Sequence, residues 1–208
     1  MAYPAPLLSS IVSTAGTLIL LRQYLERARL YKIIFALQLL DMLIGQLLEF
    51  IASAAGWSVI GYKIYYFTSP LSAALLGLGV IALTGKSRLF KLFLAYVVIV
   101  TVMLGIGVAR ASPDPNKLGE LGPFVGGQAM PKDVRVLSPP LTIPSGLIVI
   151  ALALDGYRRT RSHVYTGIVS GNIVFMVAGA LLRQGYGEAF LWLELIATII
   201  LAYSFVKS

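Results

Sequence analysis

The sequence predicts an all-α, polytopic integral membrane protein with seven transmembrane helices, and three observations lead to this prediction. Of the 208 residues, 58% are hydrophobic and 12% are charged, whereas a soluble domain carries about 25% charged residues. Several apolar stretches reach about 20 residues, the length that crosses a hydrocarbon core of roughly 30 Å. No period-2 alternation indicates a barrel, and lipid then leaves only helices because backbone groups must pair internally.

The predicted spans follow one another through short connections, with one exception. The spans are 7–21, 33–55, 66–84, 90–109, 141–155, 164–183 and 189–206. Spans 1 and 5 are short, and both can extend into their flanks at Pro6 and Pro140. We therefore expect one membrane domain over residues 1–208, interrupted by the loop 110–140.

The loop 110–140 is the longest connection, and it is rich in proline and glycine. A connection of this length is usually functional or disordered rather than a plain turn. Two interpretations stay open, a structured external lid and a mobile connector.

Positive charge predicts the orientation of the chain. The short loops after spans 1, 3 and 5 and the C-terminal end hold eleven of the 17 lysines and arginines, namely Arg22, Arg27, Arg29, Lys32, Lys86, Arg88, Lys91, Arg158, Arg159, Arg161 and Lys207. Because such loops stay in the cytoplasm, we expect a multi-pass protein of the cell membrane, N-terminus outside and C-terminus cytoplasmic. The charges lie in short runs between apolar spans, so the net charge of +8 does not indicate nucleic-acid binding.

Composition also limits the chemistry. The chain has no cysteine and a single histidine, His163, so the sequence predicts no thiolate, histidine-cluster or paired haem site, and hence no metal or cofactor. A bound lipid or quinone stays open. The lack of cysteine, with few Asn and Gln, is typical of a thermophile or archaeal protein.

Span 2 and span 6 resemble each other and indicate an internal repeat. When residues 31–50 are set over residues 165–184, Gln38 meets Asn172 and Glu49 meets Arg183. The identities in this alignment are Tyr31 with Tyr165, Ile34 with Ile168, Met42 with Met176, Gly45 with Gly179, Leu47 with Leu181 and Leu48 with Leu182. We predict two parallel three-helix repeats, about 7–84 and 141–206, joined by a linking helix at 90–109, with a site at their interface.

An arrangement of three helices, one linking helix and three helices resembles the SWEET sugar transporters and, more distantly, the opsins. The Pro-Gln pair of the former and the mid-membrane lysine of the latter are absent, so neither function is implied. The segments GYKIYY (61–66), LGLG (76–79), VRVLSP (134–139) and LEL (193–195) look like those of small seven-span proteins of bacteria and archaea. That resemblance covers most of the chain and implies no activity.

Two carboxylates, Asp41 and Glu49, interrupt the apolar span 2. A charge at the centre of a transmembrane helix costs roughly 2.5 to 3.5 kcal/mol on insertion scales, so both carboxylates need partners. The alignment predicts an inter-repeat ion pair between Glu49 and Arg183 across the pseudo-twofold axis.

Two interpretations of the remaining polar residues stay open. In one, the ion pair holds the halves together, and Asp41 is protonated or hydrogen-bonded to a neighbouring helix. In the other, Gln38, Asp41, Asn172 and Glu194 line a substrate or ion pathway between the repeats, and Asp41 carries a proton or coordinates a cation.

Four aromatic residues cluster near the outer end of spans 2 and 3: Trp57, Tyr62, Tyr65 and Tyr66. An interfacial belt explains them, and a cage for a lipid or quinone headgroup is the alternative.

Three function classes follow from these patterns. The repeat and the polar face favour a small-solute or ion transporter, with proton coupling as one form. The lack of cofactor ligands and the small size favour an accessory or assembly subunit of a larger membrane complex, such as a respiratory complex, and a homo-oligomer is also open. An enzyme is disfavoured because no metal constellation or nucleophile and base pair is evident.

Overall fold

The computed structural model describes residues 2–208 and contains seven helices long and apolar enough to cross a membrane, as predicted. In chain order these seven helices are α1 (Pro4–Glu26), α2 (Leu30–Ala55), α3 (Val59–Leu83), α4 (Ser87–Arg110), α7 (Pro139–Thr160), α8 (His163–Arg183) and α9 (Gly187–Lys207). Between α4 and α7 lie two short helices, α5 (Pro115–Leu121) and α6 (Lys132–Arg135), and a 3₁₀ turn at Gly122–Phe124. No strand occurs over residues 2–208.

Local sequence explains where the helices begin and end. Pro4 and Pro139 occupy the first turns of α1 and α7, where a missing N–H costs nothing, so both helices start earlier than the predicted spans. The Ser58 hydroxyl accepts a hydrogen bond from the Gly61 N–H at 3.0 Å and caps α3. Gly56, with φ +79°, ends α2 in a conformation that other residues rarely adopt.

Six of the long helices form a ring in the order α1, α2, α3, α7, α8, α9, and α9 closes the ring against α1. The helix α4 lies outside the ring against α3, and its exposed Leu92 and Ile99 are suited to lipid. Every helix of the ring keeps the same kind of neighbours when α1 is exchanged with α7, α2 with α8 and α3 with α9. The predicted repeat requires this symmetry of neighbours.

Interdigitated side chains fill the ring around Phe35. The rings of Phe35 on α2 and Phe205 on α9 stack with centroids 4.1 Å apart. Gly79 of α3 makes room for Phe35, since a Cβ there would lie 2.2 Å from the Phe35 ring. Such close packing is typical of a rigid protein interior.

The two ends of the bundle differ in character. The loop end carries residues 111–138, and the basic end carries the Lys- and Arg-rich connections. At the basic end Lys32 is buried, and its Nζ donates to the Phe205 carbonyl at 3.0 Å and to Ser208 Oγ at 3.3 Å. Lys32 thereby satisfies a carbonyl at the C-terminus of α9, where a helix leaves its last carbonyls unpaired.

A proline inside α7 ties α4 to the ring. Pro144 has no N–H to donate to the carbonyl of Pro140. The Tyr96 hydroxyl of α4 donates to that carbonyl instead. The linking helix is therefore attached to a carbonyl of α7 that Pro144 leaves without an intrahelical donor.

Candidate functional site

The most polar part of the interior lies between α1, α2 and α9 near the loop end. We define the carboxyl cluster as Ser13 of α1, Gln46 and Glu49 of α2, Tyr65 of α3, and Glu194 and Thr198 of α9. All six side chains are buried, and Glu49 is only 1% exposed. Buried polar groups in an apolar bundle are costly unless they are paired, so this cluster needs an explanation.

Gln46 forms hydrogen bonds with three other residues of this cluster. Its Oε1 accepts from the Ser13 hydroxyl at 2.8 Å. Its Nε2 donates to Thr198 Oγ1 at 3.0 Å and to Glu194 Oε1 at 3.4 Å. One amide thus connects α1, α2 and α9.

The carboxyl groups of Glu49 and Glu194 contact each other, and the Tyr65 hydroxyl lies beside Glu49. The Oε2 atom of Glu49 is fully buried and has no hydrogen-bond donor. Since helices rise 1.5 Å per residue, Glu49 and Glu194 lie about 10 Å below the loop end of their helices. Two carboxyl groups in contact at that depth cannot both be ionised unless a cation binds, so without one at least one of them carries a proton.

Residues 111–138 form short helices and turns that pack over this cluster, and we call this segment the lid. Trp57 Nε1 donates to the Gly122 carbonyl at 2.7 Å, and the Tyr62 hydroxyl donates to the Gly126 carbonyl at 3.0 Å. Phe124 packs edge-on against Tyr3 and fills the space beside Gly187. The lid therefore touches α1, α2, α3 and α9 at the loop end.

The four predicted aromatics serve this lid, and the prediction of an interfacial belt is wrong for the tyrosines. Tyr62, Tyr65 and Tyr66 are buried instead of facing lipid. The rings of Trp57 and Tyr65 lie 4.9 Å apart. Trp57, Tyr62 and Tyr66 form an aromatic layer against the lid, and Tyr65 connects this layer to the rest of the carboxyl cluster.

The predicted ion pair between Glu49 and Arg183 does not form. Arg183 is exposed at the end of α8, and no salt bridge within residues 2–208 involves either residue. The physical reason is the ring order, because α2 and α8 are not neighbours and share no extensive contact. Glu49 instead meets Glu194, which the sequence predicted for the pathway without placing it beside Glu49.

Two other predicted pathway residues, Gln38 and Asp41, lie together on α2 near the middle of the helix. Both are buried, at 2% and 7% exposure. Gln38 Oε1 and Asp41 Oδ2 have no hydrogen-bond partner. They are separate from the carboxyl cluster, since Asp41 lies eight residues, or about 12 Å, from Glu49 toward the basic end of α2.

Asn172 is buried on α8 and does not join the other predicted pathway residues through any hydrogen bond in the described chain. Its Nδ2 lies 3.8 Å from Met176 Sδ, and Gln38 Nε2 lies 3.5 Å from Met42 Sδ. These two amide-to-sulfur contacts are equivalent in the alignment of span 2 with span 6.

Sequence reasoning missed Ser13, Gln46 and Thr198. A signal for α1 was available, since Ser9, Ser13 and Thr17 repeat every four residues and form a polar stripe in an apolar span. Gln46 lies one turn from Glu49, which also marks it as a neighbour on the same face.

Other possible sites lie away from the cluster. A groove of about 380 Å³ opens at the loop end between α4 and α6, lined in part by Arg110 and Asp133. A groove of about 170 Å³ lies between α7 and α8. No group of three or more His, Cys, Asp and Glu side chains suited to a metal occurs among the described residues.

Comparisons of the chain with protein-family models, with curated proteins and with solved structures found no match.

Proposed function

We propose that the protein is a proton-coupled transporter of a small solute or ion, and that Glu49 and Glu194 hold the coupled proton. The observation that supports this proposal is the contact between two buried carboxyl groups on α2 and α9. These helices belong to different predicted repeats. The pair therefore lies where relative motion of the two halves would separate or join its members.

The hydrogen bonds favour one arrangement of the proton. Gln46 Nε2 donates to Glu194 Oε1, which suits an ionised Glu194. Glu49 receives no donor on its buried Oε2, so a proton on Glu49 that is donated to Glu194 pairs both groups. In this proposal Glu49 is the acid that releases the proton when the halves move apart.

In this proposal, the remaining predicted pathway residues continue the pathway from the carboxyl cluster along the membrane normal. Gln38 and Asp41 supply the next buried polar groups on α2, and Asn172 supplies the equivalent position of Gln38 on α8. Support for the repeat comes from the ring order and from the matching amide-to-methionine contacts. The proposal also keeps the predicted orientation, with the loop end outside.

Proton flux in proteoliposomes tests this function. The purified protein is reconstituted with a pH-sensitive dye in the lumen, and alkali salts, sugars and amino acids are added outside in turn. At least one addition is expected to change the lumenal pH. The response should be lost in Glu49→Gln, because an amide cannot release a proton, and in Glu194→Gln.

Glu188→Gln is the matched control, since Glu188 is exposed in the first turn of the same helix as Glu194. It should keep the wild-type flux. The proposal fails if no solute moves protons through the wild-type protein, or if Glu49→Gln transports as well as the wild type.

The second candidate is an accessory or assembly subunit of a larger membrane complex. The observation that favours it is the tight packing between the carboxyl cluster and the basic end, where Phe35 and Phe205 stack and Gly79 closes on Phe35. Mild detergent extraction separates the two functions. Stoichiometric co-purification with other membrane subunits, without proton flux, supports the accessory role.

A further inference from the structure

The contact between α2 and α3 is antiparallel, and three close approaches fix its register. The α2–α3 seam is defined by Phe35 facing Gly79, Gly45 facing Thr68 and Leu48 facing Gly61. A Cβ on Gly45 would lie 3.4 Å from Thr68 Oγ1, and one on Gly61 would lie 3.6 Å from Leu48 Cδ2. The residues of α2 between Phe35 and Gly45 therefore lie at the same depth in the bundle as the residues of α3 between Thr68 and Gly79.

Two unpaired oxygens lie in this seam. Gln38 and Asp41 fall between Phe35 and Gly45 on α2, three residues apart and hence on one face. Gln38 Oε1 and Asp41 Oδ2 are buried without a hydrogen-bond donor. The amide nitrogen of Gln38 points to Met42 Sδ at 3.5 Å, which leaves its oxygen free for another partner.

The register of the seam points to one hydroxyl group on α3 at this level, that of the part-buried Ser72. Ser72 lies between Thr68 and Gly79 on α3, and the spacing of Gly61, Thr68, Ser72 and Gly79 keeps all four on one stripe of the helix. The register of the seam therefore places Ser72 level with Asp41. Gln38 and Asp41 are separated by about 4.5 Å along the helix axis. Carboxylate, amide and hydroxyl oxygens within one helical turn of one another form a ligand set for a hard cation.

We propose that Gln38, Asp41 and Ser72 bind one monovalent alkali cation within the membrane. When Asp41 is ionised, a water molecule can satisfy the lone pairs but leaves the charge uncompensated in an apolar interior, so the ionised form calls for a cation. One carboxylate matches one positive charge, which favours a monovalent ion over a divalent one. A role for this cation as the coupled ion rests on the proposed function, whereas its binding does not.

Equilibrium binding of radioactive Na⁺ tests the site. The purified full chain in detergent, in a buffer with choline as the only other cation, is expected to bind one Na⁺ saturably. Asp41→Asn should weaken binding by more than about 10- to 100-fold, the loss that follows when only an outer-shell partner of a ligand is removed. Gln38→Met should also weaken it, because a thioether replaces the amide oxygen at similar volume.

Asp155→Asn is the matched control, since Asp155 is paired with Lys86 and Arg159 at the basic end. It should bind Na⁺ as the wild type does. Absence of saturable binding to the wild type overturns the proposal, and so does unchanged binding in Asp41→Asn. If Asp41→Asn elutes aggregated in gel filtration, Gln38→Met decides, and unchanged affinity there overturns the site. Na⁺ binding without proton flux contradicts only the proposed function.

Discussion

At the residue scale, the carboxyl cluster owes its arrangement to the chemistry of a single side chain, Gln46. Its amide is both donor and acceptor, so it pairs the Ser13 hydroxyl on one side and Glu194 and Thr198 on the other. Glu49 is left with another carboxyl group as its neighbour. Glu194 Oε1 thus accepts from the Gln46 amide, whereas Glu49 Oε2 has no donor.

This arrangement predicts different stabilities for two substitutions of Glu49. Glu49→Gln keeps a donor for Glu194, so the free energy of unfolding should change by no more than about 1 kcal/mol. Glu49→Leu leaves the Glu194 carboxylate buried without that donor, and the protein should lose roughly 3 kcal/mol, as when one member of a buried pair is removed. Reversible unfolding in mixed micelles measures both.

Glu188→Leu serves as the control, since it removes an exposed carboxylate from α9 and should be nearly neutral. Equal destabilisation by Glu49→Gln and Glu49→Leu would contradict a hydrogen bond from residue 49 to Glu194.

The sequence identified Asp41, Glu49 and Glu194 as buried polar residues but mispaired Glu49. Symmetry-equivalent residues in a two-repeat ring lie on opposite sides of the axis and meet only if they point into its centre. Glu49 and Arg183 occupy equivalent positions on α2 and α8, which the ring separates. Spacing along a helix defines a face, but the neighbour of that face depends on the packing of the whole bundle.

At the scale of the elements, close approach between helices depends on small residues. Gly79 lets α3 meet Phe35 of α2, and Phe35 in turn stacks on Phe205 of α9. Without a hydrophobic driving force between helices in lipid, such packing contacts supply much of the association energy. The absence of a side chain at Gly79 therefore allows the contacts that join α3, α2 and α9.

Gly79→Ala should destabilise the bundle. The new methyl group would lie 2.2 Å from the Phe35 ring, so the ring must move away from Phe205. Overpacking of this kind costs typically 1–3 kcal/mol. The same unfolding assay measures the loss, and a shift in the environment of the aromatic side chains should appear in near-ultraviolet circular dichroism.

Gly146→Ala on α7 is the matched control, because a Cβ there meets nothing within 4 Å. It should be neutral or slightly stabilising, since alanine favours a helix over glycine. An equal loss in both variants would show that helix propensity, not contact with Phe35, dominates.

The long helices were predictable because the thickness of the hydrocarbon core sets their length and their apolar composition. The short helices α5 and α6 were not predicted. A helix of four to seven residues cannot form without tertiary contacts, and here the lid is held by Trp57 and Tyr62 through backbone carbonyls. Every residue has a backbone carbonyl, so the sequence does not show which carbonyls accept these hydrogen bonds.

At the scale of the whole molecule, the two ends of the bundle along the membrane normal differ in structure and charge. The lid, the aromatic layer and the carboxyl cluster follow one another from the loop end, and the basic connections occupy the other end. The basic end also carries the exposed ion pairs of Asp155 with Lys86 and Arg159. The positive-inside rule then predicts that the lid faces the exterior. In the function proposed above, protons would reach Glu49 from that side.

Single-cysteine labelling tests this orientation, and the chain has no cysteine that would have to be removed first. Asn116→Cys lies on the lid and Ser162→Cys lies in the basic connection before α8, and both replace exposed or partly exposed side chains away from the buried clusters. In intact cells, a membrane-impermeant maleimide should label Asn116→Cys, and it should label Ser162→Cys only after the membrane is permeabilised. The reverse pattern would place the lid in the cytoplasm. Protons would then reach the carboxyl cluster from the cytoplasmic side, and the proposed direction of coupling would have to be inverted.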